Sequence, residues 1–245
     1  MRLALLNPAW SFDGSVYFGC REPHLPLELG YAAELLRLHG HDVALIDAHL
    51  MAMSLSDVRA ELASFSPDVT VVTTAPSYLF WRCAPPELRV PMQVISAIRD
   101  CGGEIVVVGP HASTTPKITL EKLDVRFAIQ GECEEALVEL ADSPVELWPR
   151  VEGVASRLGR GKVHIEGGPR AVNVRELPAL EWSKPILARH AHHHHRFERA
   201  ATGPGAEVES SRGCPFSCTF CAKENFRNKF RQRPLETVLR KSTLS

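Results

Sequence analysis

Two short runs constrain this chain more than any other feature: Val69-Thr70-Val71-Val72 and Ile105-Val106-Val107-Val108. Both are β-branched and apolar, without the alternation of a half-exposed strand. Each therefore predicts a strand covered on both faces, the kind found in parallel sheets between helices. With their flanks they extend to residues 68–74 and 104–109, and further strands are predicted at 2–7, 42–47 and 125–130. Helical patterns fill the intervals. Leu29, Ala32, Ala33, Leu35, Leu36 and Leu38 form an apolar stripe that stops at Gly40. Residues 56–65 and 91–101 follow, the second opening on Pro91 and closing on Gly102-Gly103. Shorter helices are predicted at 119–123 and 132–141.

Five strands alternating with helices specify an open, doubly wound α/β domain over residues 1–141. Right-handed crossovers bring the strands' C-terminal ends to one edge, where ligands bind. The loops on that edge are 7–19, 47–53, 73–83, 109–116 and 131–134. Such a domain, with a core of its own, is expected to fold alone. Residues 142–205 change character, with prolines at 144, 149, 169, 178, 185 and 204. They read as a linker with one hairpin, 153–158 and 162–166 turning at Gly159-Arg160-Gly161. A third region, 206–245, opens with a strand that leads into a cysteine cluster.

A formal charge of −1 with 44% hydrophobic and 23% charged residues excludes a disordered chain and a strongly basic nucleic-acid binder. No apolar run approaches the ~18 residues of a membrane span. The opening, apolar only from Leu3 to Leu6, lacks the features of a signal peptide. A cytoplasmic protein is expected.

Of the seven cysteines, Cys20, Cys83, Cys101 and Cys133 are scattered, whereas Cys214, Cys218 and Cys221 fall together. Their C-x3-C-x2-C spacing lets three thiolates converge on one centre. A 4Fe-4S cluster held by three cysteines keeps one iron open to an external ligand. The alternative is a zinc site, which normally takes four ligands, with the fourth from the histidines at 190–195.

The cysteine segment resembles the motif of the radical S-adenosylmethionine enzymes, C-x3-C-x-aromatic-C, residue by residue at Cys214, Cys218, Phe220 and Cys221. The resemblance implies a 4Fe-4S cluster on the three cysteines, S-adenosylmethionine on its open iron and Phe220 near the adenine. The N-terminal region is similar to the cobalamin-binding domain of one branch of that superfamily, a Rossmann-like (flavodoxin-like) fold. Pro26-Leu27-Glu28-Leu29-Gly30-Tyr31-Ala32-Ala33-Glu34-Leu35 looks like that branch's first helix. Val108-Gly109-Pro110-His111 resembles its Gly-Gly-x-His turn, and Gly131-Glu132-Cys133-Glu134 its Gly-Glu-Gly-Glu turn. Glycines at such turns let backbone approach a flat ligand. The implied cobalamin contacts are Ser77, Tyr78, Gly109, His111, Gly131 and Glu132. Asp47-Ala48-His49 nearly spells the cobalt-ligating motif of other cobalamin proteins, but it follows the second strand and lacks the closing Gly. His49 is therefore not assigned to cobalt, and Asp47 reads as an ordinary strand-end carboxylate.

The resemblance further implies reductive cleavage of S-adenosylmethionine, methyl transfer to an unactivated carbon of a small-molecule substrate, and an electron donor such as flavodoxin or ferredoxin. No catalytic side chain is legible, and neither is a Walker A or GxGxxG motif. Only residues 222–245 follow Cys221, far fewer than a barrel requires, so an incomplete barrel and doubtful turnover are expected. A non-catalytic cobalamin-binding module and a zinc-stabilised α/β protein are the competing readings. His190 and His194 would share a helix face at i, i+4 and hold a metal, or belong to a polar linker. Lys223, Arg227, Lys229, Arg231 and Arg233, interleaved with Phe226 and Phe230, read as a solvated face or an anion contact.

Overall fold

The computed structural model describes residues 1–15, 23–76, 85, 87–159, 161–190, 205–219 and 229–239. Its centre is a seven-stranded sheet in the order β2-β1-β3-β4-β5-β6-β7. The parallel members are β1 (Arg2–Asn7), β2 (Asp42–Asp47), β3 (Val69–Thr73), β4 (Glu104–Val108) and β5 (Phe127–Ile129). The 2-1-3-4-5 order is that of flavodoxin-like doubly wound sheets, as the alternation predicts. Every residue of β3 is buried, as expected from its unbroken β-branched run.

Helices cover both faces. Leu29, Ala32, Ala33 and Leu36 of α1 (Leu27–Leu38) pack with Leu137 and Leu140 of α6 (Glu134–Ala141) over one face. Val58 and Leu62 of α2 (Leu55–Phe65), Val94, Ile95 and Ile98 of α3 (Arg89–Ile98) and Leu120 and Leu123 of α5 (Pro116–Leu123) cover the other. Helix α2 begins with a reciprocal capping box between Ser54 and Asp57.

Two features depart from the expected plan. Residues 110–114 are a short helix, α4 (Pro110–Thr114), where a loop is predicted. Pro110 starts it, and the hydroxyls of Ser113 and Thr114 donate back to the carbonyls of Gly109 and Pro110 at 2.8 and 2.7 Å. The hairpin, β6 (Val154–Gly159) and β7 (Lys162–Ile165), is also no appendage of a linker. It extends the main sheet, β6 pairing antiparallel with β5. The 3-10 helix between α6 and β6, Val145–Arg150, places Trp148 edge-on against Phe127, ring centroids 5.0 Å apart.

After the hairpin the chain returns over α1, where Val172, Val174 and Leu177 bury with Tyr31. A Cβ at Gly30 would meet the Trp182 ring at 2.7 Å, so that glycine lets this returning segment lie close on α1. Helix α7 (Lys184–Arg189) follows, then the two-residue strands β8 (Ser211–Arg212) and β9 (Arg231–Gln232), paired antiparallel, and α8 (Leu235–Leu239). No helix among the described residues is long and apolar enough to cross a membrane.

Candidate functional site

A 2-1-3-4-5 sheet reverses direction between β1 and β3, and ligands bind at that crevice beyond the strands' C-terminal ends. Here the ends are Asn7 and Thr73, and they carry a buried polar cluster. The Asn7 amide donates to Asp47 Oδ1 at 2.8 Å, and the Trp10 indole donates to Asn7 Oδ1 at 2.9 Å. The Leu50 amide adds a 3.1 Å bond to the same Asp47 oxygen. Burial nevertheless pushes the Asp47 carboxyl up to about 6, against those hydrogen bonds. Asp47 is thus not the ordinary strand-end carboxylate expected of it.

The folded-state value of Asp47 lies above its ordinary one, so between about pH 4 and 6 the native state binds more protons than the unfolded chain. Stability from this group is full below that window and declines as pH rises through it. Asp47→Asn, whose side-chain oxygen accepts the same two bonds, should flatten the dependence and stabilise the protein by about 1–3 kcal/mol at neutral pH. Urea melts of parent and variant across the window measure this. Parallel curves for the two proteins would rule it out.

Beside the cluster, Thr73, Ala75, Val108, Gly109 and Gly131 line a shallow crevice along the same edge. Gly109 has φ +107°, and a Cβ there would stand 2.8 Å from Thr74 Oγ1. Thr74 donates its hydroxyl to the Val108 carbonyl at 2.9 Å and so is spent on the protein. Ser77 and Tyr78, the other hydroxyls expected here, lie outside the described residues. His111, on α4, opens onto a groove of about 550 Å³ bordered by Leu88, Met92 and Ile118, and burial lowers its affinity for a proton.

Gly131 has a different cause from the one its motif suggests. Its φ is +81°, and a Cβ would overlap the backbone of Arg170, which bridges to it in parallel. The close approach is by the chain's own returning segment, not by a ligand. Glu132 is committed likewise: its carboxylate accepts two bonds from Arg231, at 2.7 and 2.8 Å, and one from the Val172 amide at 2.8 Å.

Those contacts belong to a buried network that sequence reasoning missed. Arg212, two residues before Cys214, is fully buried and sets Nη2 2.6 Å from Glu134 Oε1 and Nη1 3.6 Å from Glu132. Its Nε donates to both oxygens of Glu209, at 3.0 and 2.9 Å. Burial opposes the charged guanidinium, but Glu134, Glu209 and Glu132 around it hold it well above the ordinary arginine value. Arg233 stacks over the Tyr31 ring at 4.8 Å and donates to the Leu177 and Pro178 carbonyls. Arg231 and Arg233, read as part of a solvated face or an anion contact, are therefore a half-buried partner of Glu132 and a buried hydrogen-bond donor. Lys229 and Phe230 are exposed, and residues 223–228 lie outside the described set.

The network fastens the root of the cysteine segment to the turn after β5. Beyond it Cys214 is half-buried and Cys218 exposed. Cys221 and Phe220 lie outside the described residues. His49 lies by the first loop, its Nδ1 accepting from the Trp10 amide at 3.2 Å. His190 lies just past the end of α7 at Arg189, and His194 is outside the described residues.

Residues 20–141 match the B12 binding domain family model. The chain is 30% identical over 209 residues to the hopanoid C-3 methylase of Methylococcus capsulatus, covering 82% of this chain and 36% of that protein. It is 27% identical over 219 residues to an uncharacterized methyltransferase of Pyrococcus horikoshii, covering 87% and 44%. Among solved structures, the radical S-adenosylmethionine methyltransferase TsrM from Kitasatospora setae, with cobalamin and a 4Fe-4S cluster bound, superposes with a TM-score of 0.72. That match has 19% identity and covers 98% of this chain and 46% of TsrM. The chain thus spans less than half the length of each of these three proteins. Residues 20–141 are a B12-binding domain, and the chain as a whole shares the fold of the corresponding part of a radical S-adenosylmethionine methyltransferase.

Proposed function

We propose that this chain holds cobalamin on the C-terminal edge of its sheet and a 4Fe-4S cluster on Cys214, Cys218 and Cys221, as part of a methyltransferase acting on an unactivated carbon. The observation that carries the reading is the buried Arg212 network. It anchors the strand that delivers Cys214 onto Glu132 and Glu134, at the edge where the sheet presents its crevice. The residues suit both groups. The crevice offers backbone and small side chains at Ala75 and Gly109 to a flat ligand, and the thiolates of Cys214 and Cys218 would be soft donors for iron.

When bound, the cofactors would supply one-electron cleavage of S-adenosylmethionine and a transferable methyl group. The chain's own contribution is positional. Glu134 and Glu209 hold Arg212, and the Arg231–Glu132 pair holds β9 beside it, so the cysteine loop leaves from a rigid base. A small-molecule substrate, with a flavodoxin or ferredoxin as electron donor, completes the proposal. In its domain terms, 1–141 binds cobalamin, 142–205 connects and 206–245 begins the cluster domain.

Anaerobic reconstitution of the full chain tests it. Acid-labile sulfide should reach about four per chain. Cys214→Ala, Cys218→Ala and Cys221→Ala should each abolish it, whereas Cys20→Ala and Cys101→Ala should not. Bound cobalamin should keep its absorption spectrum in His49→Ala. Zinc without sulfide would instead support the zinc-stabilised alternative, and a spectral shift in His49→Ala would establish histidine ligation.

A further inference from the structure

A second cluster of metal-ligating groups lies apart from the cysteines. His24, in the segment before α1, His190, just past α7, and Glu207, before β8, come from three remote stretches of chain. Their donor atoms all lie within 4.8 Å of one another, the only such trio found among the described residues. The side chains are 8%, 3% and 22% exposed, so water reaches them poorly.

The hydrogen bonds around the trio already orient it. His190 Nδ1 lies 2.7 Å from the Gly205 carbonyl, which accepts only, so that nitrogen carries the proton as donor. A neutral His190 then turns its Nε2 lone pair towards Glu207 Oε2, 3.4 Å away. His24 Nδ1 faces the other Glu207 oxygen in close contact, and the Leu25 amide donates to Glu207 Oε2 at 2.9 Å. At these separations from a carboxylate, a ring nitrogen carries either a proton or another cation between the two. Asp47 is near enough to interact with His190, so with neutral imidazoles the region holds two negative charges, Glu207 and Asp47. One divalent ion matches that deficit. A ring N–H fixed on a backbone carbonyl, with the opposite nitrogen facing the site, is also the usual second-shell arrangement of a metal-bound histidine.

We propose that His24, His190 and Glu207 bind a first-row divalent cation of the Zn²⁺ or Fe²⁺ class. Two imidazoles and one carboxylate suit such ions and leave room for water as a further ligand. Ligands about 2.0–2.2 Å from a shared ion stand about 3–4 Å apart, so small side-chain movements complete the site. The ion would pin the entry to α1, the end of α7 and the approach to the cysteine strand at one point. It thereby ties the cluster segment to the sheet independently of the Arg212 network. The proposal does not depend on the cysteines holding a cluster.

Co²⁺ is the probe, added anaerobically to the full chain carrying Cys214→Ala, Cys218→Ala and Cys221→Ala. One Co²⁺ per chain should bind with visible d–d absorption and no sulfur-to-cobalt charge-transfer band. His24→Ala, His190→Ala and Glu207→Gln should each weaken binding by more than about 100-fold, beyond the ~10–100-fold of second-shell losses. Replacing His192, His193, His194 and His195 by Ala should change it less than about twofold, on the same scale. The spectrum of the intact trio is itself a test should a single variant fold poorly. Absence of d–d absorption, or binding lost with the 192–195 replacement and retained in His190→Ala, overturns the proposal. In the first outcome protons on the imidazoles supply the missing charge.

Discussion

Arg212→Met should destabilise the protein by about 3–5 kcal/mol at neutral pH, the cost of removing one partner from a buried ion pair. The guanidinium is fully buried and so is Glu134, whose Oε1 lies 2.6 Å from it. Without Arg212, the Glu134 carboxylate loses the guanidinium 2.6 Å away and Glu132 loses its 3.6 Å approach to Nη1. Burial already pushes the Glu134 carboxyl above its ordinary value, and loss of Arg212, which pulls it down, would raise it further. The native state of the variant would then take up a proton that the unfolded chain releases. Its deficit should therefore be largest at neutral pH and shrink as pH falls towards the carboxylate range. Glu134→Gln added to Arg212→Met should recover part of the loss by removing the stranded charge. Denaturant midpoints of the parent, the two single variants and the double variant form a cycle that measures the coupling. Near-additive losses would mean that Arg212 acts by packing on Tyr31, 5.4 Å from its ring, and not by charge.

That network was legible only in part, and the reason is physical. Strands β1 and β2 each reach one polar residue beyond their apolar runs, Arg2 and Asn7 in one and Asp42 and Asp47 in the other, so local composition marks their limits. Helix α4 is less legible, since Pro110-His111-Ala112-Ser113-Thr114 has few helix-favouring side chains and is held by hydroxyls returning to the backbone. Glu132 and Glu134 on one side, Arg231 and Arg233 on the other, are separated by two positions in each case. Arg231 pairs with Glu132, whereas Glu134 opens helix α6 and meets Arg212, so the shared spacing marks no common face. Pairing segments about 100 residues apart is a matter of tertiary approach, and local charge counting instead suggests a solvated face. The glycine turns show the same limit. A positive φ at Gly131 was legible in kind, but that the Arg170 backbone and not a ligand fills the space is set by the returning chain.

The second large effect concerns where the folded unit ends. A chain cut after residue 141, at the end of the matched domain, should not reach the stability of a chain cut after residue 182. The cut removes Trp148, 1% exposed, whose ring packs on Phe127 and whose indole donates to the Leu140 carbonyl at 2.9 Å. Loss of a buried tryptophan alone costs about 3–5 kcal/mol, a large share of the ~5–15 kcal/mol that holds a domain together. Val154 and Ala155 of β6 would go too, baring the edge of β5, and so would Val172, Val174 and Leu177 from the surface of α1. Gly131 would also lose its bridge to Arg170. The expected result is a poorly cooperative, aggregation-prone 1–141 beside a cooperative 1–182, measured by thermal melts and by analytical size exclusion. A 1–141 chain that melts as sharply and as high as 1–182 would mean that the five parallel strands and their helices suffice. The hairpin would then be a late addition to a finished core, whereas the continuous ladder from β5 to β7 and the burial of Trp148 argue that it completes the core.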